Sequence, residues 1–139
     1  MLRHNNIEIP LLPGWEDDTQ IVVLGVAEGD FRPNIVVSHE PIEPGESVEE
    51  FAARQLHLLE AALEGYYSVK EEVATFGPHT GFLREHEFEV NGQQLQQMQF
   101  YIPYGNEVYT FTATHSLGKF ASSKSIFEGL FAGIVIDTG

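Results

Sequence analysis

The sequence predicts an α+β protein in which an antiparallel β-sheet carries two amphipathic helices packed on one face. Two segments place apolar residues at helical spacing, and most other apolar segments alternate with period two. The dipeptide Asn91-Gly92 separates two long alternating segments. This is the strongest short signal of a β-hairpin, because both turn residues adopt positive φ. The 139 residues contain no linker or repeat, so we expect one domain spanning residues 1–139.

The chain before the first predicted helix contains three predicted strands. The first is a short edge strand at 7–9, where Ile7, Glu8 and Ile9 alternate before Pro10. The second covers 20–27 and is rich in Ile and Val, and the third covers 34–40.

A capping box marks the first helix. The Ser47 hydroxyl can accept a hydrogen bond from the Glu50 amide while the Glu50 carboxylate accepts one from the Ser47 amide. Gly65 is a natural C-terminal stop. The apolar stripe between them has a period near 3.6 and comprises Val48, Phe51, Ala52, Leu56, Leu59, Ala62 and Leu63.

Four further strands and a second helix complete the prediction. The strands cover 66–76, 79–90, 93–103 and 107–115, and the helix covers 120–133. Tight turns join the later strands, which makes the sheet antiparallel there. The predicted order is therefore β-β-β-α-β-β-β-β-α.

The composition excludes several classes of function. The net charge is −14, from 21 acidic and 7 basic side chains, which disfavours nucleic acid and anionic membrane surfaces as partners. There is no cysteine and no apolar stretch of membrane-spanning length. Because no signal-peptide core is visible at the start, we expect a cytoplasmic protein that does not insert into membranes.

No motif for catalysis or metal binding emerges from the sequence. His57-x-x-Glu60 has helical ligand spacing but lacks a third ligand. Ser38 and Ser116 lie outside any Gly-x-Ser-x-Gly elbow. We therefore predict a non-enzymatic protein with no metal site and no cofactor.

The two faces of the predicted sheet differ in composition. In the last two strands the large apolar side chains fall on one face, which we expect to pack under the helices. Threonine and glutamine on the other face offer hydrogen bonds without burying a charge, so this face could receive another polypeptide. Alternatively, it is an ordinary wet face with good strand formers. The polar set comprises Gln97, Gln99, Thr110 and Thr112.

Gln55 is a second unusual residue. It lies beside the apolar stripe of the first helix, where an amide needs a hydrogen-bond partner. Alternatively, it is a boundary residue whose tip reaches water.

Several segments together resemble the DcrB-related family, and more closely its cytoplasmic branch, the Eag chaperones of bacterial type VI secretion. They are "IEIP…GW.D…I.V" at the start, "FAARQL" in the first helix, the hairpin at Asn91-Gly92, and "LQQMQFYI" after it. The resemblance implies a PsbP-like fold and a homodimer. It also implies a non-catalytic chaperone that shields the N-terminal transmembrane helices of a secreted effector, near its PAAR region, before loading.

The resemblance also implies which residues hold the client helix. A one-residue shift of the early strand would exchange its apolar pair for Val22 and Leu24 and reverse the face. The residues at the matching positions are Gln55, Gln99, Ile21 and Val23.

The hairpin segment 81–89, "GFLREHEFE", is more acidic than a purely apolar cradle requires. It either faces away from the client or meets basic residues beside the client helix. Another protein-binding accessory module of the same fold is the alternative function, and a small hydrolase is a third, disfavoured by the missing nucleophile.

Overall fold

The computed structural model describes residues 2–4, 7–10, 12–14, 20–27 and 31–136. Trp15, which contributes to the family resemblance, lies outside this part. The described elements are β1 (Leu2–His4), β2 (Ile7–Ile9), β3 (Ile21–Leu24), β4 (Asn34–Pro41), α1 (Val48–Ala62), β5 (Glu64–Phe76), β6 (His79–Val90), β7 (Gln93–Tyr104), β8 (Glu107–Ser116) and α2 (Leu117–Ala132).

Six strands form one fully antiparallel sheet in the order β3-β4-β8-β7-β6-β5. The predicted antiparallel α+β architecture is therefore confirmed. The predicted strand at Ile7–Ile9 is also present, but it pairs with β1 in a separate two-stranded sheet. Strand β1 was not predicted, because Leu2, Arg3 and His4 contain a single apolar residue and show no alternation.

Helix α1 begins as its capping box predicts. The Glu50 amide donates to the Ser47 hydroxyl, and the Ser47 amide donates to the Glu50 carboxylate, both at 3.1 Å. The helix ends at Ala62, before Gly65, with Leu63 as its C-cap in an extended conformation. Gly65 instead has a φ of +66° at the start of β5, where only glycine turns the chain at little cost.

The two helices pack on opposite faces of the sheet. Met98 and Phe100 of β7 bury against α2, whereas Tyr101 of the same strand buries against Phe51 and Ala52 of α1. Since neighbouring residues of a strand point to opposite faces, this corrects the expectation that both helices cover one face. The physical reason is that one end of the second face is also apolar, through Phe82, Tyr101 and Val108.

Strand β5 contains register irregularities between Glu64 and Tyr67 and between Ser68 and Lys70. An extra residue in one strand reverses which face the following side chains occupy. As a result Tyr66 and Glu71, an odd number of residues apart, both face α1: Tyr66 stacks on His86, and Glu71 pairs with Arg84.

Candidate partner-binding surface

Helix α1 covers only part of its face of the sheet. It packs over β5, β6, β7 and the end of β8 that carries Val108, and among the described elements no helix covers the same face of the rest of β8, β4 and β3. The register places Gln99, Thr112, Val36 and Val22 side by side across β7, β8, β4 and β3. We call Gln97, Gln99, Thr110 and Thr112 the glutamine–threonine surface, and all four share this face, as the sequence predicts.

The glutamine–threonine surface becomes apolar toward the edge of the sheet. Val36 is partly buried, while Val22 and Leu24 on the edge strand are about half exposed, at 56% and 51%. From β8 to β3 the uncovered strands span two strand spacings, or about 10 Å. An α-helix with its side chains is about 10–12 Å across, so the uncovered region is about one helix wide.

Ile21 and Val23 do not share this face. Ile21 pairs with Val37 and Val23 with Ile35, on the face that α2 covers. Each lines an apolar pocket there, of about 270 Å³ for Ile21 and about 370 Å³ for Val23. The one-residue shift considered from the sequence is thus the observed register, and Val22 accompanies the glutamines, while Leu24 pairs with Asn34 on that face and also borders the larger pocket.

Gln55 lies on α1 at the border of the same surface. Its Nε2 atom donates to the Glu40 carboxylate of β4 at 3.2 Å. Glu40 lies at the end of the row that contains Val36. The predicted need of this amide for a partner is met by that carboxylate.

A buried polar network under α1 is the feature that the sequence did not reveal. Arg84 is fully buried and donates from Nε to Glu71, at 2.7 Å, from Nη1 to the Tyr101 hydroxyl, at 2.7 Å, and from Nη2 to the Ala52 carbonyl oxygen, at 2.6 Å. The Tyr101 hydroxyl in turn donates to Gln99 Oε1 at 2.6 Å. The network therefore ends on the glutamine–threonine surface.

The charge of Arg84 is stabilised despite its burial. Burial acts to lower the pKa of the guanidinium, but the hydrogen bond with Glu71 and the nearby Tyr101 raise it overall. Burial raises the pKa of Tyr101 to about 12, so the phenol keeps its proton.

His86 lies next to this network and is also fully buried. Its Nε2 atom contacts Gln97 Oε1 at 2.8 Å, and its ring stacks on Tyr66 with centroids 4.9 Å apart. Burial lowers its pKa to about 4. The ring is neutral at pH 7, and because an amide oxygen only accepts, Nε2 carries the proton.

The acidic hairpin faces away from the glutamine–threonine surface. Glu85 pairs with Met98, whose side chain lies under α2, and Glu87 and Glu89 share that side of β6. Glu85 is buried and accepts from Lys124 of α2 at 3.0 Å. The alternate residues Arg84 and His86 point toward α1.

Two negative findings concern the part of the chain that the structure describes. Among those residues, no three His, Asp or Glu side chains come together as a metal site. No helix there has the length and apolar character needed to cross a membrane.

The sheet and its two helices form an α+β fold like that of PsbP. The structure resembles the solution structure of cyanobacterial PsbP (CyanoP) from Synechocystis sp. PCC 6803, with a TM-score of 0.59, 11% identity and coverage of 85% of this chain and 82% of that one. It also resembles PA94 of Pseudomonas aeruginosa, a protein of unknown function, with a TM-score of 0.80, 18% identity and coverage of 99% and 96%. At these identities the likeness shows the fold.

The chain belongs to the DcrB family, whose model matches residues 5–125. This confirms the broader part of the resemblance seen in the sequence. A comparison with curated protein sequences finds no match.

Proposed function

We propose that this protein is a non-catalytic chaperone or adaptor that binds an apolar helix of another protein on the glutamine–threonine surface. In its specific form, the client is the N-terminal transmembrane region of a type VI secretion effector near its PAAR region, held in the cytoplasm before loading. The observation that carries the proposal is the half-face beside α1, whose central rows carry no charged residue, which is about one helix wide and which grades from glutamine to valine and leucine.

The chemistry of this surface suits a membrane-spanning helix outside its membrane. Val22, Leu24 and Val36 can cover apolar side chains that water would otherwise meet. Gln99 and Thr112 can form hydrogen bonds with polar groups along the helix, at a lower desolvation cost than charged side chains. A surface built for a charged or nucleic-acid partner would carry charged residues in the central rows.

Co-expression tests the proposal directly. The full chain is co-expressed with the tagged transmembrane N-terminus of the effector encoded beside its gene, and the two are co-purified. We expect a soluble complex with the native chain, and at least tenfold lower recovery with Thr112→Lys, because binding would bury an unpaired ammonium.

Thr80→Lys is the matched control. Thr80 also lies on a strand and shares a hydroxyl hydrogen bond, with Thr75 of the edge strand β5, but on β6, toward the opposite edge of the sheet from β3. It should leave recovery unchanged. Equal recovery with both variants, or no complex with the native chain, would contradict the proposed site or client.

We further propose that the protein is a homodimer. The support is a group of exposed apolar side chains on and beside α2: Ile126 is 61% exposed, Leu130 48% and Val135 86%. Multi-angle light scattering should give twice the monomer mass of 15.6 kDa, and Ile126→Glu should shift it toward the monomer. A monomer at all concentrations would refute the dimer and would leave the proposed client site unaffected.

A further inference from the structure

Both glutamines of the surface have their amide oxygen held by a buried donor of the neighbouring network. Gln99 Oε1 accepts from the Tyr101 hydroxyl, and Gln97 Oε1 accepts from His86 Nε2. Arg84 and His86 are the direct cross-strand neighbours of Gln99 and Gln97 on β6. The two amides are therefore anchored from the same side.

The direction of the hydrogen bonds on the Gln99 side is fixed by Arg84. A guanidinium has donors and no acceptor, so the Tyr101 hydroxyl must accept from Arg84 and use its single hydrogen toward Gln99 Oε1. With its oxygen held there, the Gln99 amide nitrogen points to β8, where it donates to Thr112 Oγ1 at 3.2 Å. Aligned hydrogen bonds of this kind polarise one another and strengthen the terminal donor.

The Gln97 side follows the same logic. The Gln97 amide oxygen contacts His86 Nε2, so the amide nitrogen of Gln97 lies on the side away from that ring nitrogen. Thr114 of β8 is the cross-strand neighbour on that side. Gln99 consequently directs an N–H group to β8, and both glutamines have their carbonyl oxygens turned to the buried network instead of to the uncovered strands.

We propose that Arg84, Tyr101 and His86 are positioning residues that make the glutamine–threonine surface a hydrogen-bond donor array, selective for a helix that offers acceptor atoms. This rests on the proposed function, since it specifies the partner chemistry of the same surface. Suitable acceptors are serine or threonine oxygens and main-chain carbonyl oxygens left accessible beside small residues. A helix that offers only donors finds no complement at Gln97 and Gln99.

The probe is a set of synthetic 21-residue helices of leucine and alanine with two lysines at each end. One position in the central turn carries serine, O-methylserine or norvaline, and this position is moved through four successive residues. O-methylserine accepts but does not donate, and norvaline has the same shape with neither ability. Affinities for the full-length protein are measured by fluorescence anisotropy.

We expect serine and O-methylserine peptides to bind alike at the best position, and norvaline about fivefold more weakly, which is the usual effect of one hydrogen bond. Tyr101→Phe should remove this preference, because Gln99 is then free to turn its oxygen outward. It should have no further effect on the preference in a Gln99→Met background. Tyr104→Phe, on the same strand but on the opposite face, is the control and should keep it.

A preference for serine over both other peptides would show an acceptor surface and overturn this inference while leaving the proposed function intact. A preference that survives Tyr101→Phe would overturn the positioning role. Failure of every peptide to bind would overturn both proposals. If Tyr101→Phe lowers stability, NMR spectra of the unliganded native and variant proteins still test the positioning role. We expect the Gln99 side-chain amide to lose its fixed orientation in the variant, and an unchanged orientation would contradict the inference.

Discussion

Replacing Glu71 by leucine is expected to lower the free energy of unfolding by about 3 kcal/mol, the lower end of the range for leaving a buried charge without its partner, because the Glu71 side chain is itself 28% exposed. Arg84 is fully buried, and Glu71 is its carboxylate partner across the β5–β6 pair. A guanidinium cannot escape by losing its proton. Without Glu71 the charge stays in the interior with only neutral acceptors, the Ala52 carbonyl oxygen and the Tyr101 hydroxyl.

Glu72→Leu is the matched control for this prediction. Glu72 is the next residue of β5, its side chain is 51% exposed, and it forms a surface ion pair with Lys70 at 3.5 Å. Such exposed pairs contribute at most about 1 kcal/mol. Urea denaturation of the native chain and both variants gives the comparison, and equal losses for Glu71→Leu and Glu72→Leu would refute the structural role of the buried pair.

The double variant Glu71→Leu/Arg84→Met sharpens the test. It removes the buried charge together with its partner, and replacing a buried ion pair by apolar residues of similar size is often nearly neutral. We expect the double variant to recover much of the stability lost in Glu71→Leu. It should also lose the acceptor preference of the glutamine–threonine surface, because the donor that directs Tyr101 is gone.

The elements with strong local signals were predictable from the sequence. The capping box at Ser47 and the turn at Asn91-Gly92 depend on contacts within a few residues, and both hold in the structure. The alternation that separates Gln99 and Thr112 from the core is equally local, since strand geometry alone sets it. These features therefore predicted the antiparallel sheet and the composition of its two faces.

The arrangement of helices and the buried network depend on tertiary contacts instead. Nothing local distinguishes a helix above Met98 from one above Tyr101, because both faces carry large apolar residues. The bulge near Ser68 interrupts the two-residue alternation of β5, so the sequence spacing does not show that Tyr66 and Glu71 lie on the same face. In the sequence, Arg84 is one charged residue in an acidic segment. The signal that could have indicated its burial was its even spacing from the apolar residues Phe82 and Phe88, which places all three on one face of the strand.

The position of β3 shows how one residue changes a site assignment. Four consecutive apolar residues, Ile21–Leu24, give no alternation, so the sequence cannot say which pair faces the glutamines. The pairing with β4 decides it, through Val22 opposite Val36. The proposed client surface accordingly includes Val22 and Leu24, while Ile21 and Val23 lie with α2.

His86 should make the protein less stable in mild acid. Burial is the main cause that lowers its pKa from 6.5 to about 4, the charge of Arg84 adds to it, and Gln97, Glu71 and Glu85 oppose it. Between pH 6.5 and 4 the unfolded chain therefore binds more protons at this residue than the folded chain, so stability falls as the pH falls. The loss reaches about 3 kcal/mol at pH 4, because each tenfold difference in proton affinity between the two states corresponds to about 1.4 kcal/mol.

The measurement compares urea denaturation of the native chain and His86→Phe from pH 7 to pH 4.5. Carboxylates titrate in both proteins, so the difference between them isolates His86. We expect the stability of His86→Phe relative to the native chain to rise steadily as the pH falls, whereas His57→Phe, which removes an exposed imidazole on α1, should track the native chain. A constant difference across this range would mean that His86 protonates in the folded protein as readily as in the unfolded one. His86 would then be an imidazolium in the folded protein at pH 4.5, which would contradict the buried neutral ring, although the Nε2–H donor to Gln97 would remain because an imidazolium donates from both nitrogens.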